Sequence, residues 1–335
     1  MPSVSPDYAL RLNQFSPGIR FNDLILAVMS VSQKRTKSGN EYLYFRLRDA
    51  SGETQGKWFS PTLAARELEN AALVQISGRV DDHESFRGEL KIDALVPIFE
   101  IPADLTPFQT PLPQNHKAHL SRFQDLIRSI QNPHLKALLR ELFAPESEIW
   151  KQFQHAPAAK SMHHNYRGGL LEHSGEVATM CDRICATMAH LNRDLLVCAA
   201  LLHDIGKLEE MRADLCAGEY TPAGHLVGHI VLGACTVSCL ADTLPNFPVC
   251  LKHELMHLIL SHHGRTEWGA AKTPMCAEAV ILSSCDLMSA KIAQIRGAAS
   301  KEGDEFSSLY GWHERETNGM AYVGAMRRAI EETQS

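Results

Sequence analysis

The sequence predicts a multidomain protein, a small all-β barrel followed by an all-α helical domain. Three observations carry this. Short β-patterned runs are confined to the first third, prolines crowd residues 97–113, and apolar residues recur at three- and four-residue spacing from about 118 onward. The expected organisation is a barrel at 17–98, a proline-rich linker at 99–117 and a helical domain at 118–335.

In the first third, residues 24–33 (LILAVMSVSQ) are apolar and β-branched, and residues 41–49 (EYLYFRLRD) alternate strictly. A Ser51-Gly52 turn, a strand over 53–59, a short helix around 61–70 and strands over 73–81 and 86–96 complete a five-stranded barrel. On strand 41–49, Leu43, Phe45 and Leu47 share the face that a barrel buries. Tyr42, Tyr44, Arg46 and Arg48 share the outer face. Aromatics there can stack on bases and arginines can hold phosphates, although both also suit a plain solvated strand. Lys34, Arg35 and Lys37 fall in the loop between the first two strands. Pro97, Pro102, Pro107, Pro111 and Pro113 then interrupt ladders and helices alike. Helices are expected over 120–143, 168–190, 194–211, 224–242, 249–263 and 274–296, an irregular stretch over 297–319, and a short closing helix over 320–332.

The 335 residues carry a net charge of −6, which argues against a broad nonspecific duplex-DNA footprint. No apolar run reaches the roughly 18 residues of a membrane span, and Met1 to Ser16 does not read as a signal peptide. Nine cysteines without a CxxC spacing suggest reduced thiols in a cytoplasmic protein rather than a zinc-thiolate site. The seventeen histidines, most of them beyond residue 115, are the unusual feature.

His203 and Asp204 sit in LLHDIGK, at the end of an apolar run. On a helix they would point about 100° apart and could both reach an ion beside it. A buried His-Asp pair in so apolar a stretch needs a partner, and a metal supplies one. His173 in GGLLEHS and Asp286 in ILSSCDL complete a nitrogen–oxygen donor set suited to Mn, Fe or Zn. His229, on a helix begun by Thr221-Pro222, and His262 or His263 could hold a second ion, with Asp204 bridging. His262 is the preferred ligand of that pair, leaving His263 beside it or as a proton donor. His225 is a weaker rival to His229. Any one of these histidines could instead be structural; the set together points to a metal.

Two resemblances sharpen this reading. Segment 19–98, through YFRLRDASGE, KWF and LVQISGRV, resembles the OB-fold of anticodon-binding and single-strand-binding proteins. The strings HHNYRGGLLEHS, LLHDIGK, YTPAGHLVGHI, LILSHHG with EWG, and AVILSSCDLMSAK resemble the HD superfamily of metal-dependent phosphohydrolases, and within it the YhaM-type 3′-to-5′ exoribonucleases. That family also joins an OB domain to an HD domain, so the likeness spans about residues 19–295. It implies a first metal on His173, His203, Asp204 and Asp286, and a second on Asp204, His229 and His262. It implies Lys207 facing the scissile phosphate, with Tyr166 and Arg167 contacting a base or phosphate. Certain relatives place a proton-donating His or a Glu ligand where Gly169 stands here, which leaves the general acid open and makes a third metal unexpected. No GYP follows the HHG, against a cyclic-dinucleotide phosphodiesterase.

The expectation is a metal-dependent 3′-5′ exoribonuclease acting on single-stranded RNA, with single-stranded DNA as a further substrate, releasing 5′-nucleotides. It would use two divalent ions, manganese first, with Fe, Mg or Zn as alternatives, and homo-oligomers are compatible. The rival readings are an HD nucleotide phosphohydrolase acting on small nucleotides, a di-iron oxygenase, and a binding module with an inactive HD domain.

Overall fold

The computed structural model describes residues 11–68, 71–83, 88–100, 104, 106–159, 164–212, 220–299, 306–308 and 320–334. The described chain forms two compact units that divide between Pro111 and Leu112.

The first unit is a closed barrel of β1 (Arg20–Arg35), β2 (Glu41–Asp49), β3 (Gly52–Trp58), β4 (Leu73–Val80) and β5 (Leu90–Ile98), with the one-turn helix α1 (Ala65–Leu68) between β3 and β4. The strand order β1-β2-β3-β5-β4 closes because β1 pairs with both β2 and β4. All pairs are antiparallel except β3 with β5. This is the five-stranded OB arrangement. Strand β1 can serve two neighbours because it is long and bulged, between Phe21 and Leu24 on one edge and between Val28 and Ser30 on the other. Along β2 the alternation is as the sequence predicts. Leu43, Phe45 and Leu47 are buried, and Tyr42, Tyr44, Arg46 and Arg48 lie on the half-buried outer face. Of the expected linker, Thr106–Phe108 form a 3-10 turn whose Phe108 packs with Ala27 and Leu73.

The second unit contains α2 (His116–Ser129), α3 (Pro133–Leu142), α4 (Glu148–Phe153), α5 (Gly169–Thr187), α6 (Arg193–Leu202), α7 (Lys207–Glu210), α8 (Pro222–Leu226), α9 (His229–Thr243), α10 (Val249–Ser261), α11 (Ala277–Ala299) and α12 (Gly324–Gln334). Its core joins Phe123, Leu139 and Trp150 to the apolar faces of α5, α6, α9, α10 and α11.

Three helices expected to be continuous are each broken, and each break has a local cause. The 120–143 run splits at Pro133, with the Asn132 side chain accepting from the amides of His134 and Leu135. The 194–211 run ends at His203, and the turn 203–206 precedes α7, so His203 and Asp204 are not side by side on a helix. The 224–242 run breaks at Gly228, whose φ of 79° is a left-handed value. His229 therefore opens α9 rather than continuing the helix capped by Thr221. Within 297–319, expected to be irregular, β6 (Phe306–Ser308) pairs with β7 (Met320–Tyr322); the remainder of that stretch beyond Ala299 lies outside the described residues.

Candidate metal centre

The breaks in the helices assemble the site. His203 and His262 each cap the C-terminus of a buried helix, α6 and α10. Each ring turns back so that Nδ1 meets the carbonyl oxygen three residues earlier, Ala200 at 2.8 Å and Ile259 at 2.7 Å. A carbonyl can only accept, so Nδ1 carries the proton in both. Each Nε2 is then a bare acceptor aimed into the interior. His229 reaches the same state differently. Glu210 Oε1 accepts from the His229 amide at 2.9 Å, capping α9, and from His229 Nδ1 at 2.8 Å. Glu210 was not anticipated from sequence; its signal is a buried acid seven residues after His203.

Gly206 lets these pieces meet. A Cβ there would lie 2.1 Å from the His229 carbonyl oxygen and 2.4 Å from the Gly233 amide nitrogen. Only glycine allows the turn carrying Asp204 to press against the start of α9.

The donor atoms form two groups. His173 Nε2 lies 3.2 Å from His203 Nε2 and 3.0 Å from Asp286 Oδ1. Asp204 Oδ2 lies 3.4 Å from His203 Nε2 and 3.5 Å from His173 Nε2. Around one ion held at about 2.1 Å, neighbouring donors stand roughly 3.0 Å apart in octahedral and 3.4 Å apart in tetrahedral geometry. The observed spacings run from 3.0 to 3.5 Å, with His203 Nε2 to Asp286 Oδ1 wider at 3.8 Å, close to those of a shared ion. On its other side, Asp204 Oδ1 lies 3.4 Å from His229 Nε2 and 3.6 Å from His262 Nε2. His263 joins this second group, with its donor atom within 4.8 Å of those of His229 and His262. Its Nδ1 donates to the Trp268 carbonyl at 2.8 Å. Asp204 thus faces one histidine group with each carboxylate oxygen.

The residues fit a cation. Asp204 Oδ1, His229 Nε2 and His262 Nε2 are buried without a hydrogen-bond partner. Orphaned polar atoms at that depth are costly, and three of them sharing one space call for a positive charge between them. Electrostatics point the same way. Burial works against the Asp204 and Asp286 charges, yet Lys207 and His203 hold Asp204 well below the carboxylate range, and His173 and His203 depress Asp286. Burial lowers His173 and His262, whereas at His203 it is outweighed by Asp204 and the ring is raised. His263 is pushed down to about 4 by burial and then by its His262 neighbour. His263 Nδ1 holds its proton on Trp268, which leaves Nε2 as the ring atom open to the second group.

Other expected residues are placed as follows. Lys207 is buried and its Nζ donates to Asp204 Oδ2 at 2.6 Å, so it stands on the carboxylate that both histidine groups face. Tyr166 is half-buried, and burial together with the nearby Glu172 carboxylate raises its pKa. Arg167 flanks it, half-buried. His225 stacks edge-on with Tyr220 and is not in either group.

On the barrel, Lys34 and Arg35 end β1, paired with Tyr42 and Glu41, rather than lying in the expected loop; Lys34 Nζ lies 3.4 Å over the Tyr44 ring, and Lys37 is exposed. Arg35 pairs with Glu41 at 3.0 Å. Arg46 pairs with Glu53 at 3.0 Å, and Arg48 bonds the same carboxylate. Phe59, not singled out from sequence, stacks on Tyr42 at 5.2 Å with Lys91 Nζ 5.7 Å from its ring. Its signal lies in the KWF alternation, which turns Trp58 inward and Phe59 outward.

Comparison with known proteins agrees with this architecture. The HD domain model matches residues 170–291, and HD domains bind divalent metals. The 3′-5′ exoribonuclease YhaM of Oceanobacillus iheyensis is 29% identical over 287 residues, covering 83% of this chain and 87% of the relative. The proteins of the same name from Bacillus licheniformis and Bacillus subtilis are each 30% identical over 276 residues, covering 81% of this chain and 85% of theirs. Among solved structures, the second OB-fold domain of replication protein A from Methanococcus maripaludis, 16% identical, covers 28% of this chain and 97% of that one with a TM-score of 0.21, too low to add to the strand order. Among the described residues no helix is long and apolar enough to cross a membrane. With its barrel, its HD domain and relatives matched along most of their length, the chain belongs to the family of the 3′-5′ exoribonuclease YhaM.

Proposed function

We propose that this protein is a metal-dependent 3′-5′ exoribonuclease that hydrolyses single-stranded RNA to 5′-nucleotides in the cytoplasm. The observation that carries the proposal is the two-sided placement of Asp204, with one oxygen toward His173 and His203 and the other toward His229 and His262. His173, His203, Asp204 and Asp286 would hold one divalent ion. Asp204, His229 and His262, with His263, would hold the other. Such a pair, manganese in our reading, would supply a hydroxide at neutral pH and neutralise charge on the phosphate.

The chain's own residues set the rest. The Nδ1 contacts lock the imidazoles before any substrate arrives, so little reorganisation accompanies binding. Lys207 keeps Asp204 ionised and adds a positive charge where the phosphoryl oxygens gain negative charge. On the barrel, Tyr44, Tyr42 and Phe59 offer faces for base stacking, and Lys34, Lys37 and Lys91 offer phosphate contacts. The shared Glu53 moderates the contribution of Arg46 and Arg48.

The test is Asp204→Ala assayed on an oligoribonucleotide and on a mononucleotide with Mn²⁺. Wild type should shorten the oligonucleotide and leave the mononucleotide alone. The variant should lose cleavage and keep strand binding. Full activity in the variant would refute the proposal, and turnover of the mononucleotide alone would point to a small-nucleotide phosphohydrolase.

A further inference from the structure

Among the four imidazoles around Asp204, three have Nδ1 on a backbone carbonyl or directly on a carboxylate, and His173 alone reaches a carboxylate through a hydroxyl. Its Nδ1 lies 3.1 Å from Ser289 Oγ on α11. That same Oγ lies 3.0 Å from Glu176 Oε2 on α5. An ionised carboxylate only accepts, and a serine has one proton, so Ser289 donates to Glu176 and must accept from His173 Nδ1. His173 Nε2 thereby carries no proton and faces His203 Nε2 at 3.2 Å. The outer end is built as well. His164 Nε2 lies 3.4 Å from Glu176 Oε2, and Arg296 Nη1 lies 3.7 Å from Oε1. Although burial opposes it, His164 and Ser289 hold Glu176 down at about 2, as the acceptor the chain requires.

The cluster of His164, Glu172 and Glu176 has the composition of a third metal site. Arg296 already lies near both glutamates, and Tyr166 and His119 engage Glu172. It reads instead as a scaffold. Gly169 is part of the same arrangement: a Cβ there would stand 2.0 Å from the His164 carbonyl oxygen. The position at which some relatives carry a functional side chain is filled here by the backbone that brings the His164 ring within 5.3 Å of the His173 ring.

We propose that Ser289 and Glu176, anchored by His164, are a positioning relay that fixes the tautomer and aim of His173 and strengthens its hold on a divalent ion. This rests on reading His173 as a ligand. The test is calorimetric titration of metal-stripped full-length protein with Mn²⁺ alone, for wild type, Ser289→Ala, Glu176→Gln and the double variant. Each single variant should weaken the affected binding step about 10- to 100-fold. The double variant should be no weaker than the worse single, because both break one chain. Glu176→Gln keeps size and shape, so it answers even if Ser289→Ala folds poorly. The proposal is overturned if wild type binds no Mn²⁺, if both single titrations match wild type, or if the two losses multiply. No RNA is present, so a protein that binds Mn²⁺ through the relay but leaves oligoribonucleotides intact would sink the exoribonuclease reading alone.

Discussion

Gly206→Ala offers the sharpest separation of the two metal positions. The added Cβ would stand 2.1 Å from the His229 carbonyl oxygen, whereas ordinary contact begins near 3.4 Å. All three clashing atoms of α9 are backbone, so no side chain can swing away. The turn 203–206 and the start of α9 must separate by about 1.3 Å, a shift of the kind that costs on the order of 100-fold in rate when it misplaces reacting groups. The separation falls directly on the 3.4 Å approach of Asp204 Oδ1 to His229 Nε2. Of the first group, His173 on α5 and Asp286 on α11 do not lean on that contact, and His203 and Asp204, on the turn itself, stay with them when α9 is the part that gives way. The variant should therefore bind one Mn²⁺ per chain where wild type binds two, with nuclease activity down about 100-fold or more. Metal content by mass spectrometry and single-turnover cleavage of a labelled oligoribonucleotide read both quantities. Two ions per chain at wild-type affinity in the variant would refute the assignment of the second site.

Further expectations follow from the same geometry. Removing metal with a chelator should abolish cleavage and lower the unfolding midpoint, since an ion bound only by the folded state stabilises it; an unchanged melting curve would count against a resident ion. Truncating Tyr44 or Phe59 to Ala should weaken single-stranded RNA binding by about 1–3 kcal/mol per lost stack in fluorescence anisotropy, and unchanged affinity would remove the barrel face from the account. Phe45→Ala, fully buried in the barrel, should destabilise that unit by about 3–5 kcal/mol in denaturant unfolding. Glu176 is held at about 2, below its unfolded value of 4.5, so its contribution is fully present above pH 4.5 and is lost as pH falls toward 2. In metal-stripped protein, Glu176→Gln should flatten the stability profile across that window, and parallel profiles would contradict the ion-pair assignment.

What the sequence revealed and what it hid divide along physical lines. The barrel was legible because β2 alternates without fault: Leu43, Phe45 and Leu47 must go inward, and one side of the strand then defines the other. His173, His203, Asp204 and Asp286 were legible because each is a polar group in an apolar helical run, a costly placement that demands a partner. The helix breaks were less so. Periodicity runs across Gly228 and past His203 because both flanking segments pack on one core, and only backbone angles show that the helices stop there. Glu210, Ser289 and Glu176 escaped notice for another reason. Their roles depend on neighbours far along the chain, Ser289 on residues 113 and 116 positions away, and no local pattern encodes such a meeting. Lys207 was placed toward the phosphate by resemblance; its contact with Asp204, set by the turn between α6 and α7, was not legible in the sequence.

The central claim is that Asp204 joins two metal-binding groups into a centre that removes nucleotides from the 3′ end of RNA. The most direct measurement is a time course on one single-stranded oligoribonucleotide, labelled in parallel at its 5′ or its 3′ end, with and without Mn²⁺. The account predicts Mn²⁺-dependent loss of the 3′ label as mononucleotide at the earliest times, while the 5′-labelled strand shortens through a ladder. Early release of the 5′ label, or equal cleavage without any divalent ion, would contradict it.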